Sequence, residues 1–183
     1  MSKKVIVLLA DGFEEVEAIT PVDYLRRAGL EVTTASIGAD KTVKGARGIS
    51  VTADAMFSDV KRNSWDAVVI PGGIPGAPNI AADKDVGVFI KGMADSEKFV
   101  CAVCAAPALV LFPLGVLDGK DFTCYPGMEE KVSGAKWSEL DVVISGNVIT
   151  SRGAGTAAAW SFAIIAKLLD EATADKIAKA VLY

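Results

Sequence analysis

The chain has 183 residues, 51% hydrophobic and 23% charged, with 17 glycines, a profile that fits one well-buried α/β domain spanning residues 1–183 and argues against disorder. Its formal charge is −4 and its pI is near 4.9, and its basic residues are scattered, so it carries no electrostatic footprint for nucleic acid or an anionic membrane. It contains no histidine, which excludes Cys-His and Ser-His hydrolysis and histidine-ligated zinc within the chain.

The opening "MSKKVIVLLADGFEE" turns acidic directly after a short apolar run and shows no small-residue cleavage site, so it reads as a first strand rather than a signal peptide. A helix is expected over roughly 14–28, with Gly29 as its stop signal and Pro21 as a kink or junction, and "LEVTTASI" is the next strand. "GARGISVTAD" reads as an irregular strand or hairpin, and "DAVVIPGG" as a strand ending in a tight turn. A helix over about 83–97 leads to the strand "FVCAV", a helix "APALVLF" and a short strand "DFTCY". "LDVVISGNVITSRG" is a strand pair, and two helices follow at about 155–169 and 173–182. The stretch "GTAAAWSFAIIAKLL" is too short to span a bilayer, which needs about 20 apolar residues, and reads as a buried helix. Near-continuous apolar strands separated by helices predict a mainly parallel sheet covered on both faces. In such sheets ligands bind beyond the carboxyl ends of the strands.

Cys104, in "VCAVCAAPA", lies where strand gives way to helix, flanked by Ala102 and Ala106, with Pro107 suited to the first helical turn. Small neighbours permit a sharp reversal, as in a nucleophile elbow with cysteine in place of serine. The helix N-terminus is expected to favour the thiolate and lower the Cys104 pKa. Cys101 and Cys124 read as small core residues. Cys101 and Cys104 also form a C-x-x-C spacing, but residues three apart in a strand face opposite sides roughly 10 Å apart, so no bridge closes. An odd number of cysteines without a secretion signal points to a reducing compartment, the cytoplasm.

Gly72 and Gly73, directly after a strand, leave backbone N–H groups uncovered, as an oxyanion hole requires. Glu14, Glu15 and Glu17 crowd the loop and first helical turn after strand one, where ordinary complement to the helix dipole explains Glu14 and Glu15. A carboxyl serving Cys104 needs partial burial and a raised pKa; the residues alone leave the choice among the three open. "GAGTAA", residues 153–158, fits G-x-G-x-x-A but lacks a following strand with an acidic ribose ligand, so it reads as a close-packing turn with Arg152 facing the site.

Taken together, "LLADGFEEVEAITPVDYLRRAGLEVTTAS", "DAVVIPGG", "AVCAAPALVL" and "TSRGAGTA" resemble the ThiJ/PfpI superfamily, in the branch of the parkinsonism-associated deglycase and its bacterial relatives. The resemblance covers essentially the whole chain. It implies a flavodoxin-like α/β sandwich and a homodimer, with no cofactor and no metal. It makes Cys104 the reactive cysteine, Glu17 the carboxyl bonded to it, Gly72 and Gly73 the oxyanion turn, and Ala105 the N–H donor after the nucleophile. Arg47 matches an arginine near a pocket that the partner subunit helps to shape. Where many relatives carry histidine in a "THP"-like turn this chain has "CYP", placing Tyr125 there; a phenol with pKa near 10 donates a hydrogen bond but is a poor base at neutral pH. Two functions follow from the resemblance: glutathione-independent chemistry on reactive carbonyls or glycated amines, with Glu17 as proton shuttle, and a sensor or chaperone role through oxidation of Cys104 to sulfinate.

Overall fold

A computed structural model of the chain describes residues 2–61 and 64–183. Its first half runs β1 (Lys4–Leu9), α1 (Glu15–Arg27), β2 (Glu31–Ser36), β3 (Thr42–Lys44), β4 (Ser50–Thr52), β5 (Ala55–Met56), the single turn α2 (Phe57–Val60) and β6 (Ala67–Ile70). Then come α3 (Gly76–Ala82), α4 (Lys84–Asp95), β7 (Phe99–Val103), a π-helical turn (Pro107–Leu111), β8 (Asp121–Phe122), β9 (Lys136–Trp137), β10 (Val142–Ser145), β11 (Val148–Ser151), α5 (Ala157–Leu168) and α6 (Glu171–Ala180).

Seven strands form the main sheet in the order β10-β11-β7-β6-β1-β2-β5. All neighbours pair in parallel except β10 with β11. With the long parallel strands numbered by their appearance, this is the 2-1-3-4-5 order of a flavodoxin-like sheet, whose switch point lies between β1 and β6. The strands read as unbroken apolar runs because both faces are buried. Val5, Val7 and Leu9 of β1 point to the side covered by α1, α5 and α6, whereas Ile6 and Leu8 point to the side covered by α3 and α4. Among the described residues no helix is long and apolar enough to cross a membrane.

Some expectations are made more definite, others are revised, and one helix lies where the sequence pattern predicts none. α1 is one continuous helix through Pro21, with no junction there. "GARGISVTAD" supplies the loop and second strand of the β3–β4 hairpin. The segment "GAPNIAA", rich in turn residues, forms α3 because Gly76 and Ala77 are small enough to be fully enclosed. Of "DFTCY" only Asp121 and Phe122 are strand, and the helix expected after Cys104 is a π-helical turn of five residues.

Candidate active site

Three chain reversals meet beside the switch point: the loop from β1 into α1, the turn after β6, and the elbow after β7. The first two interlock through backbone bonds, and the β3–β4 loop is tied to the first of them. Glu14 N–H donates to Gly72 O (3.1 Å), Gly76 N–H donates to Gly12 O (3.1 Å), and Ala46 N–H of the β3–β4 loop donates to Phe13 O (2.8 Å).

Cys104 occupies the elbow with φ +61, a left-handed conformation that a non-glycine residue adopts only when its surroundings enforce it. Here Cys104 N–H donates to Ser151 O at the end of β11 (3.0 Å), and Tyr125 N–H donates to Cys104 O (2.8 Å). Backbone N–H groups of Ala105 and Gly73 are directed at the Cys104 sulfur.

Glu17 projects from the first turn of α1 and is only 1% exposed. Its Oε2 accepts the Gly72 N–H (2.8 Å), and its carboxyl is within hydrogen-bond reach of Cys104. Burial is the main cause that raises its pKa to about 7, and the nearby Glu14 carboxylate adds to it, against the two hydrogen bonds. Gly72 is confined by this pair: a Cβ there would lie 2.7 Å from both the Cys104 Cβ and Glu17 Oε2. Its N–H is therefore committed to Glu17, so Gly73, at φ +92, with Ala105 supplies the donors toward the sulfur, rather than Gly72 and Gly73 together.

The expected lowering of the Cys104 pKa is reversed. Burial first, then the Glu17 carboxylate, push this thiol up to about 12, and the N–H groups of Ala105 and Gly73 offset only part of that. A π-helical turn of five residues carries too little aligned dipole to outweigh a buried carboxylate next to the sulfur. The physical consequence is that Cys104 and Glu17 act as one acid. Protonating Glu17 removes the charge that opposes the thiolate, so the two groups titrate as a coupled pair.

A cavity of about 320 Å³ opens over Cys104. Glu17, Gly73, Ala105, Arg47 and Tyr125 line it, as do Glu14, one of the three candidate carboxyls, and Ile74 and Met128, which the sequence pattern did not single out. Arg47 lies 3.8 Å from Glu14 and is largely exposed. Arg152 is turned away: it donates to Glu139 O (3.3 Å), lies 3.9 Å from Asp141, and does not line the cavity. Its neighbour Gly153 faces the site instead, close to the Tyr125 ring and Glu17. Cys101 and Cys124 are fully buried with raised pKa values, Cys124 to about 12, in keeping with core roles. Among the described residues no three His, Cys, Asp or Glu side chains converge in a metal-ligand arrangement.

Glu15 has a role that helix-dipole reasoning misses. It is 6% exposed, and its Oε1 accepts the N–H groups of Arg47 (2.7 Å) and Ile49 (3.3 Å), so it pins the loop that carries Arg47 over the cavity. A Cβ at Gly45 would meet Glu15 Oε1 at 2.3 Å, so the glycine makes room for this carboxylate. The only trace of this in the sequence is the small-residue loop "GARG".

Residues 3–167 match the DJ-1/PfpI family. Protein DJ-1 homolog B of Arabidopsis thaliana is 37% identical over 179 residues, covering 98% of this chain and 41% of that protein. The chain spans less than half the length of that relative and of its homolog A, of which it covers 46%. Protein dj-1beta of Drosophila melanogaster is 37% identical over 185 residues, 100% of this chain and 98% of that protein. A solved structure of Toxoplasma gondii DJ-1, described as oxidized, superposes with a TM-score of 0.97 at 35% identity over 100% of this chain and 99% of that one. With fold, elbow and full-length relatives in agreement, the chain belongs to the DJ-1/PfpI family.

Proposed function

We propose that the chain is a cofactor-free, cysteine-dependent enzyme acting on reactive carbonyls such as methylglyoxal, or on their early adducts with amines. The observation that carries this reading is a buried carboxyl, Glu17, with a pKa near 7, within hydrogen-bond reach of a cysteine at a strand-to-helix elbow. A group titrating there takes up and releases protons equally well at neutral pH, so it serves as the acid–base partner without an imidazole.

In this mechanism the Cys104 sulfur adds to the aldehyde carbon. A carbon–sulfur bond forms, the carbonyl π bond opens, and the thiol proton reaches the new oxygen by way of Glu17. The N–H groups of Gly73 and Ala105, directed at the sulfur in the free protein, are the nearest donors for the negative charge that oxygen develops. Glu17 then removes the hydrogen of the thiol-bearing carbon as a proton and returns a proton to the neighbouring carbon, while the hydroxyl proton of the first carbon passes to the oxygen of the second. The first carbon is thereby oxidised to a thioester as the second is reduced to an alcohol. Water cleaves the thioester, releasing a 2-hydroxy acid and the free thiol. The test is lactate formation from methylglyoxal without glutathione or metal. Wild type is expected to turn over, with a loss of at least a hundredfold in both Cys104→Ser and Glu17→Gln; no turnover above buffer in fully reduced protein overturns the reading.

A second reading, a redox sensor or redox-regulated chaperone, is favoured by one observation. Cys104 is the partly exposed thiol of the three, while Cys101 and Cys124 are buried, so peroxide reaches Cys104 first. A neutral Glu17 would then donate to the sulfinate oxygen. The Toxoplasma gondii relative described as oxidized is consistent with such chemistry in that protein. Both readings include a homodimer, supported by the exposed apolar side chains Val16 and Ile19 on α1 and Ile49 beside the Arg47 loop.

A further inference from the structure

The wall of the cavity away from the carboxylates is apolar and includes two side chains that the rest of the chain leaves exposed. Ile74 is 56% exposed and Tyr125 is 52% exposed, and with Met128 they line the space over Cys104. Tyr125 is held close to the nucleophile by its own backbone, whose N–H donates to Cys104 O at 2.8 Å. Its ring also packs over Gly153, with Cδ2 3.6 Å from where a Cβ of that glycine would sit. The charged part of the lining is confined to Glu14, Glu17 and Arg47, and Arg47 lies 3.8 Å from Glu14, so its charge is already matched. An anionic substrate tail would therefore meet no unmatched positive charge, and it would face Glu17 as well. Methylglyoxal would leave most of the roughly 320 Å³ to water.

We propose that this site selects neutral 2-oxoaldehydes bearing an apolar, preferentially aryl, substituent, whose tail lies along Tyr125, Ile74 and Met128 while the aldehyde carbon meets Cys104. The proposal rests on the carbonyl reading of the site for its chemistry, but the apolar wall is a separate claim with a separate test. Tyr125 is the specificity-determining residue. Its ring supplies a flat apolar face beside the sulfur, where a basic side chain would instead attract charge.

The turnover-independent test is alkylation of Cys104 by phenacyl bromide, 4-carboxyphenacyl bromide and bromoacetone, each rate divided by the rate with glutathione to remove intrinsic reactivity. The other two thiols are buried, so the readout reports Cys104. Wild type is expected to favour phenacyl bromide over bromoacetone by about tenfold, the scale of enclosing one apolar group, and over the carboxylated reagent by at least as much. Tyr125→Ala is expected to lose most of that preference and Tyr125→Phe to retain it. Equal normalised rates in wild type, an unchanged preference in Tyr125→Ala, or faster reaction of the carboxylated reagent would each overturn the proposal. The same ranking is expected in kcat/KM for phenylglyoxal over methylglyoxal. An aryl preference in alkylation with no turnover of either aldehyde would sustain the apolar wall and defeat the carbonyl enzyme; turnover without the preference would do the reverse.

Discussion

Glu17 has exchanged the hydration of a carboxylate for one backbone N–H and one thiol, and burial outweighs both, which is why its pKa rises to about 7. The consequence for stability has a definite sign. The folded state holds the Glu17 proton more tightly than the unfolded chain does, so the protein is favoured below the ordinary value of 4.5 and loses that contribution as pH rises to about 7. The slope amounts to about 3 kcal/mol across the window, at 1.36 kcal/mol per pH unit. Urea unfolding between pH 4.5 and 7 is expected to show this fall in wild type and to lose it in Glu17→Gln; parallel curves for the two proteins would contradict the assignment. The choice of Glu17 over Glu14 and Glu15 illustrates what the residues alone left open. All three sit within one turn, and only the direction of α1 against the turn after β6 turns Glu17 inward to Gly72 and Cys104 while Glu15 points to the β3–β4 loop.

At the level of elements, the strands and long helices were legible because their apolar periodicity is imposed by a sheet buried on both faces. α3 was not, since a Gly-Ala-Pro-Asn run has turn propensity and its helix depends on packing against the loop after β1. The elbow was legible as a place but not in its electrostatics: small residues around Cys104 announce the reversal, whereas the short π-helical turn and the buried carboxylate reverse the expected thiol shift. Arg152 shows the same limit. The strand-to-helix turn was placed, but the side chain leaves toward Asp141 and hands the inward position to Gly153. The loop between β3 and β4 is held by Glu15, and this makes a prediction about the element. Glu15→Ala is expected to speed tryptic cleavage after the exposed Arg47 by about tenfold, because local opening no longer breaks two bonds to a carboxylate. An unchanged cleavage rate at that bond, read by mass spectrometry of the fragments, would contradict the pinning role.

For the whole molecule, the 2-1-3-4-5 strand order fixes where a site can form, because the crossovers leave β1 and β6 in opposite directions and open a crevice between their carboxyl ends. Loops after β1, β6 and β7 all end at that crevice, so residues far apart in the chain converge without any long excursion. On one side of it, Val16 and Ile19, a helical turn apart on α1, stand 47% and 41% exposed, and Ile49 is 59% exposed beside the Arg47 loop. A second copy of the chain on this face would cover them, and a stable interface of this kind buries about 800 Å² per partner. Light scattering after gel filtration is expected to give twice the 19.0 kDa chain mass for wild type and a shift toward the single chain in Ile19→Glu. A wild-type mass of one chain would contradict the dimer.

The coupling between Cys104 and Glu17 underlies the proposed chemistry, and the pH dependence of Cys104 alkylation by iodoacetamide tests it most directly. Wild type is expected to show two rises, the first near pH 7 as the pair loses its first proton and part of the population becomes thiolate beside neutral Glu17, the second toward pH 12. Glu17→Gln is expected to lose the step near 7 and to show one alkaline rise. Identical single-step profiles for the two proteins would mean that Cys104 ionises without reference to Glu17, and would contradict the account.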